Sequence, residues 1–221
     1  LLLDSFYKTI TDCVDSGFAK NISFSLTTNL MVNPKNEMIE NMDKFHKFLF
    51  NISLDAVGDE LHYIRYPSNF ESLIRNFKKV YRDPGSHDGD IHYQFTPTVQ
   101  VYNALYLADV LRAVEELIEK GFILSKLPIH LMFLTFPSQL NIRVLPKIIR
   151  KISIIKLENF LQNSKHLKFN KKVGEGVRQT INVLKNEVLD NDEQLFSEFL
   201  YYSNAIDKHR KQSLENALPE L

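Results

Sequence analysis

The sequence predicts an α/β protein with a parallel sheet and helices packed outside it, followed by a helical C-terminal region. Three observations predict this. Helix-then-strand patterns recur four times over residues 1–140, the turns between them are short, and helical patterns without strand signal fill residues 141–221. The strands are apolar enough to be expected buried on both faces.

The first helix is read from Phe6, Ile10, Cys13, Val14 and Phe18, with Gly17 near its end, and the first strand from Ile22, Phe24 and Leu26 alternating with Ser23 and Ser25. A second helix over residues 37–48 carries Met38, Met42, Phe45 and Phe48 on one face, and the run Leu49 to Val57 follows as strand. The third unit pairs a helix over about residues 69–81 with a strand from Ile91 to Tyr102, across the turn Asp83-Pro84-Gly85. In the fourth, Leu107, Val110, Leu111, Val114, Leu117 and Ile118 form a helical face, Gly121 stops the helix, and Ile129 to Phe136 is strand.

From Asn141 onward the pattern changes. Pro146 fits the first turn of a helix running to Phe160, and further helical stretches cover Val177 to Val188 and Gln194 to Lys211. Two regions result: a sheet-containing region, 1–140, and a helical region, 141–221, packed on the edge of the sheet.

Composition narrows the functional classes. Lys plus Arg and Asp plus Glu both total 27 in 221 residues, so no net field marks the chain as a nucleic-acid or membrane binder. No apolar run is long enough to span a bilayer and no signal peptide is visible, so a cytoplasmic protein is expected. Cys13 is the single cysteine, which excludes an internal disulfide and any multi-cysteine metal site made by this chain alone.

Ligands of parallel α/β sheets gather at the C-terminal ends of the strands. Those ends carry a polar set: Thr27, Thr28 and Asn29; Ser53 and Asp55; Gln100 and Asn103; Thr135 and Ser138. Taken singly, such a residue is more often a cap for the next helix than a ligand contact. The set tells more than its members.

The segment from Ile52 to Pro67, with Ser53-Leu54-Asp55-Ala56 and then Arg65, resembles the fourth barrel strand and following loop of radical S-adenosylmethionine (SAM) enzymes. Those commonly read Ser-hydrophobic-Asp-Gly followed by an Arg. Thr27-Thr28-Asn29 resembles the Thr-Asn-Gly that ends the third strand. Leu1-Leu2-Leu3-Asp4 resembles the residues just after the Gly-Gly-Glu-Pro of the second strand, and Thr98 to Asn103 resembles the fifth strand. The ending Leu218-Pro219-Glu220-Leu221 resembles the tail of a subgroup with a reduced, twitch-type C-terminal region, which implies a complete C-terminus.

The resemblance implies a partial (β/α) barrel. It also implies that Asn29, Ser53, Asp55, Arg65 and Asn103 contact SAM, with Arg65 on its carboxylate, a role that suits a planar guanidinium fork. The complete enzyme would cleave SAM at a 4Fe-4S cluster to a 5′-deoxyadenosyl radical that abstracts hydrogen from a small-molecule or peptide substrate, with a flavodoxin or ferredoxin as electron donor. The sequence departs from that pattern in lacking Cys-x3-Cys-x2-Cys and Gly-Gly-Glu-Pro, in Leu30 and Ala56 standing where glycines are usual, and in a C-terminal region without cysteine. The chain therefore reads as an N-terminally truncated fragment, inactive alone, with cluster cysteines expected upstream. The rival reading is a non-catalytic α/β binding module derived from such an enzyme.

Two further clusters have simpler readings. Ser86-His87-Asp88-Gly89-Asp90-Ile91-His92 has the donor types of a metal site but sits at the wrong end of its strand, and reads as a solvated turn, so no metal ligand is assigned. Lys165, His166, Lys168, Lys171 and Lys172 read as a solvated basic loop.

Overall fold

The computed structural model describes residues 4–83, 90–186 and 191–221. The Leu1–Leu3 segment, the turn residues Pro84 and Gly85, Ser86 to Gly89 of the candidate metal cluster, and Val188 lie outside the described residues.

The chain forms a mixed α/β fold with short parallel sheets. Helix α1 (Asp4–Asp15) leads to strand β1 (Ser23–Thr28), α2 (Asn36–Asn41) to β2 (Lys47–Ile52), and α3 (Gly58–Ile64) and α4 (Phe70–Val80) to β3 (Asp90–Phe95). Strand β4 (Thr98–Val99) follows at once, and α5 (Leu107–Glu119) leads to β5 (Met132–Phe133). Strands β1, β2 and β3 pair in chain order, all parallel, and β4 pairs parallel with β5. A parallel bridge from Phe95 to Ile129 joins the two sheets, and His130, Met132 and Leu134 donate in turn to the carbonyls of Phe95, Pro97 and Val99. No closed barrel forms among the described residues.

Four sequence expectations need correction. The strand expected from Ile91 to Tyr102 is broken at Thr96-Pro97, because Pro97 has no N–H for a ladder, and Val101–Asn103 turns into a 3-10 helix. The helix expected over 37–48 ends at Asn41; a 3-10 turn, Met42–Lys44, follows, and Phe48 belongs to β2. The strand expected through Val57 ends at Ile52, and α3 occupies residues read as loop. Of Ile129 to Phe136, only Met132–Phe133 is regular strand, and Phe136 is exposed.

The expectation of strands buried on both faces is also overturned. Across β2 and β3, Phe48, Phe50, Ile52, Ile91, Tyr93 and Phe95 are buried, whereas Lys47, Leu49, Asn51, His92 and Gln94 are only half-buried and Asp90 is exposed. In β1, Ser23, Ser25 and Thr27 are exposed. Successive side chains alternate between faces, so one face packs in the core and the other is polar and partly open.

An aromatic row forms the buried side. Phe48 stacks on Phe24 at 5.1 Å and meets Phe50 at 4.9 Å, Phe50 stacks on Tyr93 at 5.4 Å, and Tyr93 meets the Phe77 edge of α4 at 5.6 Å. Such pairs add about 0.5–1.5 kcal/mol each beyond burial. The buried Tyr93 hydroxyl donates to the Val80 carbonyl at 2.7 Å and accepts from Arg82 N–H at 2.9 Å, so its polar end is satisfied. Helix α4 starts at Asn69, whose side chain accepts from Ser72 N–H at 2.9 Å.

The C-terminal region is helical, with α6 (Lys147–Asn163), α7 (Lys171–Asn186), α8 (Asp192–Arg210) and the short α9 (Leu214–Ala217). Pro146 takes the N-cap of α6 rather than its first turn. Helix α6 packs on α5 and α7. Buried Arg150 of α6 donates to the carbonyls of Leu184 at 2.7 Å and Val183 at 3.3 Å in the last turn of α7, tying the two helices together. Among the described residues no helix is long and apolar enough to cross a membrane.

Candidate functional site

Three of the five sequence-predicted site residues meet where β2 and β4 end. Asp55 lies three residues past the end of β2 and is 2% exposed. Its Oδ1 accepts from the Thr98 N–H of β4 at 2.7 Å, and its Oδ2 lies 2.5 Å from Arg65 Nε. Asn103, wholly buried, closes the arrangement. Its amide nitrogen donates to the Asp55 carbonyl at 3.0 Å and the Thr98 carbonyl at 2.8 Å, and its amide oxygen accepts from Gln100 N–H at 2.9 Å.

The local sequence explains this geometry. The break at Thr96-Pro97 ends the ladder with β2 and leaves the Thr98 N–H free to find Asp55. The Gln100 side chain accepts from the Asn103 backbone while the Asn103 side chain accepts from the Gln100 backbone, a reciprocal cap that starts the 3-10 turn. Arg65 is the C-cap residue of α3, and its own N–H donates to the Leu61 carbonyl at 2.9 Å. Seven residues of helix therefore carry Arg65 back over the strand end to Asp55.

Asp55 and Asn103 spend their polar atoms on the protein and tie together the junction of β2, β4 and α3. Arg65 differs. Its side chain is 30% exposed, and among the described residues its terminal nitrogens make no hydrogen bond. Ser53 is half-buried, with its N–H donating to the Thr28 carbonyl of β1 at 2.9 Å. Asn29 is not drawn into the cluster; it is exposed, and its side chain accepts from Met31 N–H at 3.3 Å in a local turn. Next to it, Leu30 takes a left-handed conformation with φ of 52° although its side chain is fully buried, so this loop does require positive φ. Ala56 does not adopt it, and Gly58 does, with φ of 56°.

Below these strand ends runs the half-open sheet face, which the sequence pattern did not single out. Thr27, Asn51 and Gln94 stand in register across the three strands. Asn51 donates to Ser25 Oγ at 2.9 Å and Gln94 to the Leu127 carbonyl at 2.8 Å. The alternation Asp-Ile-His-Tyr-Gln-Phe in β3 is the signal that could have found it. Lower on the same face, a cavity of about 310 Å³ is lined by Lys47, Leu49, Asp90, His92, Gln94 and the loop Ser125–Leu127. There His92 Nε2 lies 2.7 Å from Asp90, whose carboxyl is held below its ordinary pKa by that neighbour.

On its other side the site meets the C-terminal helices. Tyr63 of α3 packs edge-on against Tyr102 at 5.8 Å, and the Tyr102 hydroxyl lies 2.8 Å from Ser203 Oγ of α8. Burial pushes the Tyr102 phenol up to about 12, and burial together with the Asp207 carboxylate raises that of Tyr63 well above its usual range.

A 4Fe-4S cluster needs several thiolates. Cys13 is half-buried on α1, and among the described residues no three His, Cys, Asp or Glu side chains come together to hold a metal, so these residues do not fit a cluster. The residues at the strand ends offer a carboxylate-binding guanidinium and a hydroxyl beside a polar sheet face. That donor set suits an organic ligand with an anionic group. In comparison with known proteins, the chain matches no family model, no curated protein and no solved structure.

Proposed function

We propose that this chain is the ligand-binding part of a radical SAM enzyme, arranged as a partial (β/α) barrel. The observation that carries the reading is the meeting of Asp55, Arg65 and Asn103 at the C-terminal ends of parallel strands, next to a half-open polar sheet face. Arg65 and Ser53 contact SAM, Asp55 and Asn103 hold them in place, and Asn29 lies on the neighbouring strand end. A 4Fe-4S cluster with cysteines from outside these residues would supply the electron that cleaves SAM to a 5′-deoxyadenosyl radical. This chain's residues bind and orient the cofactor and wall off water. The substrate is a small molecule or peptide held against Thr27, Asn51 and Gln94, and a flavodoxin or ferredoxin is the electron donor.

A second reading, a non-catalytic binding module derived from such an enzyme, is favoured by the single cysteine and by the saturation of Asp55 and Asn103 within the protein. Calorimetric titration with SAM tests the site common to both. Arg65→Lys, which keeps the charge and loses the fork, is expected to weaken binding by about 1–3 kcal/mol. Equal affinities in wild type and variant overturn the assignment of Arg65.

A further inference from the structure

We propose that Arg210, in the last turn of α8, is a positioning residue that holds Arg65 at the strand ends. The inference rests on reading Arg65 as the ligand-facing cation.

Helix α3 has only seven residues, too few to be stable without tertiary support. Its last carbonyls have no partner within the helix. One of them, that of Tyr63, accepts a hydrogen bond from Arg210 Nη1 at 3.3 Å, across 147 residues of sequence. The same guanidinium lies over the ring of Tyr66, 5.5 Å from its centroid. Arg65 sits between these two residues, so a single side chain grips the chain on both sides of it. The ring of His62 meets Tyr66 at 5.3 Å and ties the same turn together.

Helix α8 brings more than one contact to this place. Phe199, Ser203, Asp207 and Arg210 recur at spacings of three and four and so share one helix face. Phe199 packs on Tyr102 at 4.9 Å, and Ser203 meets the Tyr102 hydroxyl. Asp207 anchors the chain beyond the helix by accepting from Leu214 N–H at 2.7 Å. Arg210 is the member of that face that reaches the turn carrying Arg65. The C-terminal region is thereby coupled to the proposed cofactor arm through one guanidinium.

The test uses the whole 221-residue chain. The Arg65 Nε–H, held by Asp55, is followed by nitrogen-15 NMR as a slowly exchanging signal. Arg210→Ala is expected to speed its exchange about tenfold, the effect of losing roughly one hydrogen bond, and Arg210→Lys to restore part of the protection. Tyr66→Leu, which removes the ring beneath Arg210 and leaves α8 untouched, should act in the same direction and covers the case in which Arg210→Ala fails to fold. Unchanged Arg65 exchange in both Arg210→Ala and Tyr66→Leu overturns the proposal. In a parallel SAM titration, weakening by both Arg65→Lys and Arg210→Ala supports it, and weakening by Arg65→Lys alone overturns it. A titration insensitive to Arg65→Lys counts against the cofactor reading, and the NMR result then decides the positioning role by itself.

Discussion

Asp55 Oδ2 and Arg65 Nε lie 2.5 Å apart, joining a loop beyond a strand to the C-cap of a helix ten residues later. The carboxylate is buried and the guanidinium is partly open, so the pair faces the core on one side and solvent on the other. With Thr98 N–H on the other carboxylate oxygen, Asp55 joins three segments of chain.

Asp55→Ala is expected to lower stability by about 1–3 kcal/mol, because the Thr98 N–H loses its partner and Arg65 its counter-charge. Urea unfolding followed by circular dichroism measures this. Asp55→Asn, which keeps one acceptor, should recover part of the loss.

Asn103 makes three hydrogen bonds with no exposed surface. Asn103→Leu keeps the branched shape, adds volume and removes all three, and should cost at least about 3 kcal/mol at roughly 1 kcal/mol per hydrogen bond. A loss of unfolding free energy from urea titration below one third of that would mean that the site relaxes or admits water.

Glu115 of α5 gives a pH signature. Its Oε1 accepts from Ser164 Oγ at 2.6 Å and from the N–H groups of His166 at 2.7 Å and Leu167 at 3.0 Å. Burial by itself would raise its pKa, and these hydrogen bonds outweigh burial and hold it below the ordinary range. The stabilisation is therefore fully present above the unfolded-state value, about 4.3, and is lost as pH falls through the depressed folded-state value. Glu115→Gln should be less stable than wild type at neutral pH, with the difference shrinking below that range. A constant difference across the acid window would contradict the assignment.

Iron and sulfide reconstitution of this chain under reducing conditions should give no stable 4Fe-4S absorption, since Cys13 is the only thiol. One cluster per chain by iron analysis would contradict that.

The sequence is most readable where one signal decides the outcome. The parallel order of strands follows from helix-strand alternation, and Asp55, Arg65 and Asn103 all stand out in the sequence without knowledge of their contacts. Boundaries are harder where two signals compete. Phe45 and Phe48 fit a helical face with Met38 and Met42, yet Phe48 and Phe50 at spacing two place them in a strand. Helix α3 escapes notice because Leu61 and Tyr63 are its only buried residues, too few to show a period. The second partner of Asp55, the Thr98 N–H, is not legible, because the break at Pro97 is what frees it from the ladder. Arg210 gives no signal at all; its contact with Tyr63 spans well over half the chain.

The central claim is tested most directly by SAM cleavage. Protein containing these residues together with a cluster-bearing segment, loaded with iron and sulfide and reduced without oxygen, is incubated with SAM and assayed for 5′-deoxyadenosine. The expected result is that the product forms, and that Arg65→Ala lowers its yield at subsaturating SAM by about tenfold or more, as for loss of a charge-assisted hydrogen bond. Absence of 5′-deoxyadenosine from protein with a verified cluster, or a yield indifferent to Arg65, would contradict it.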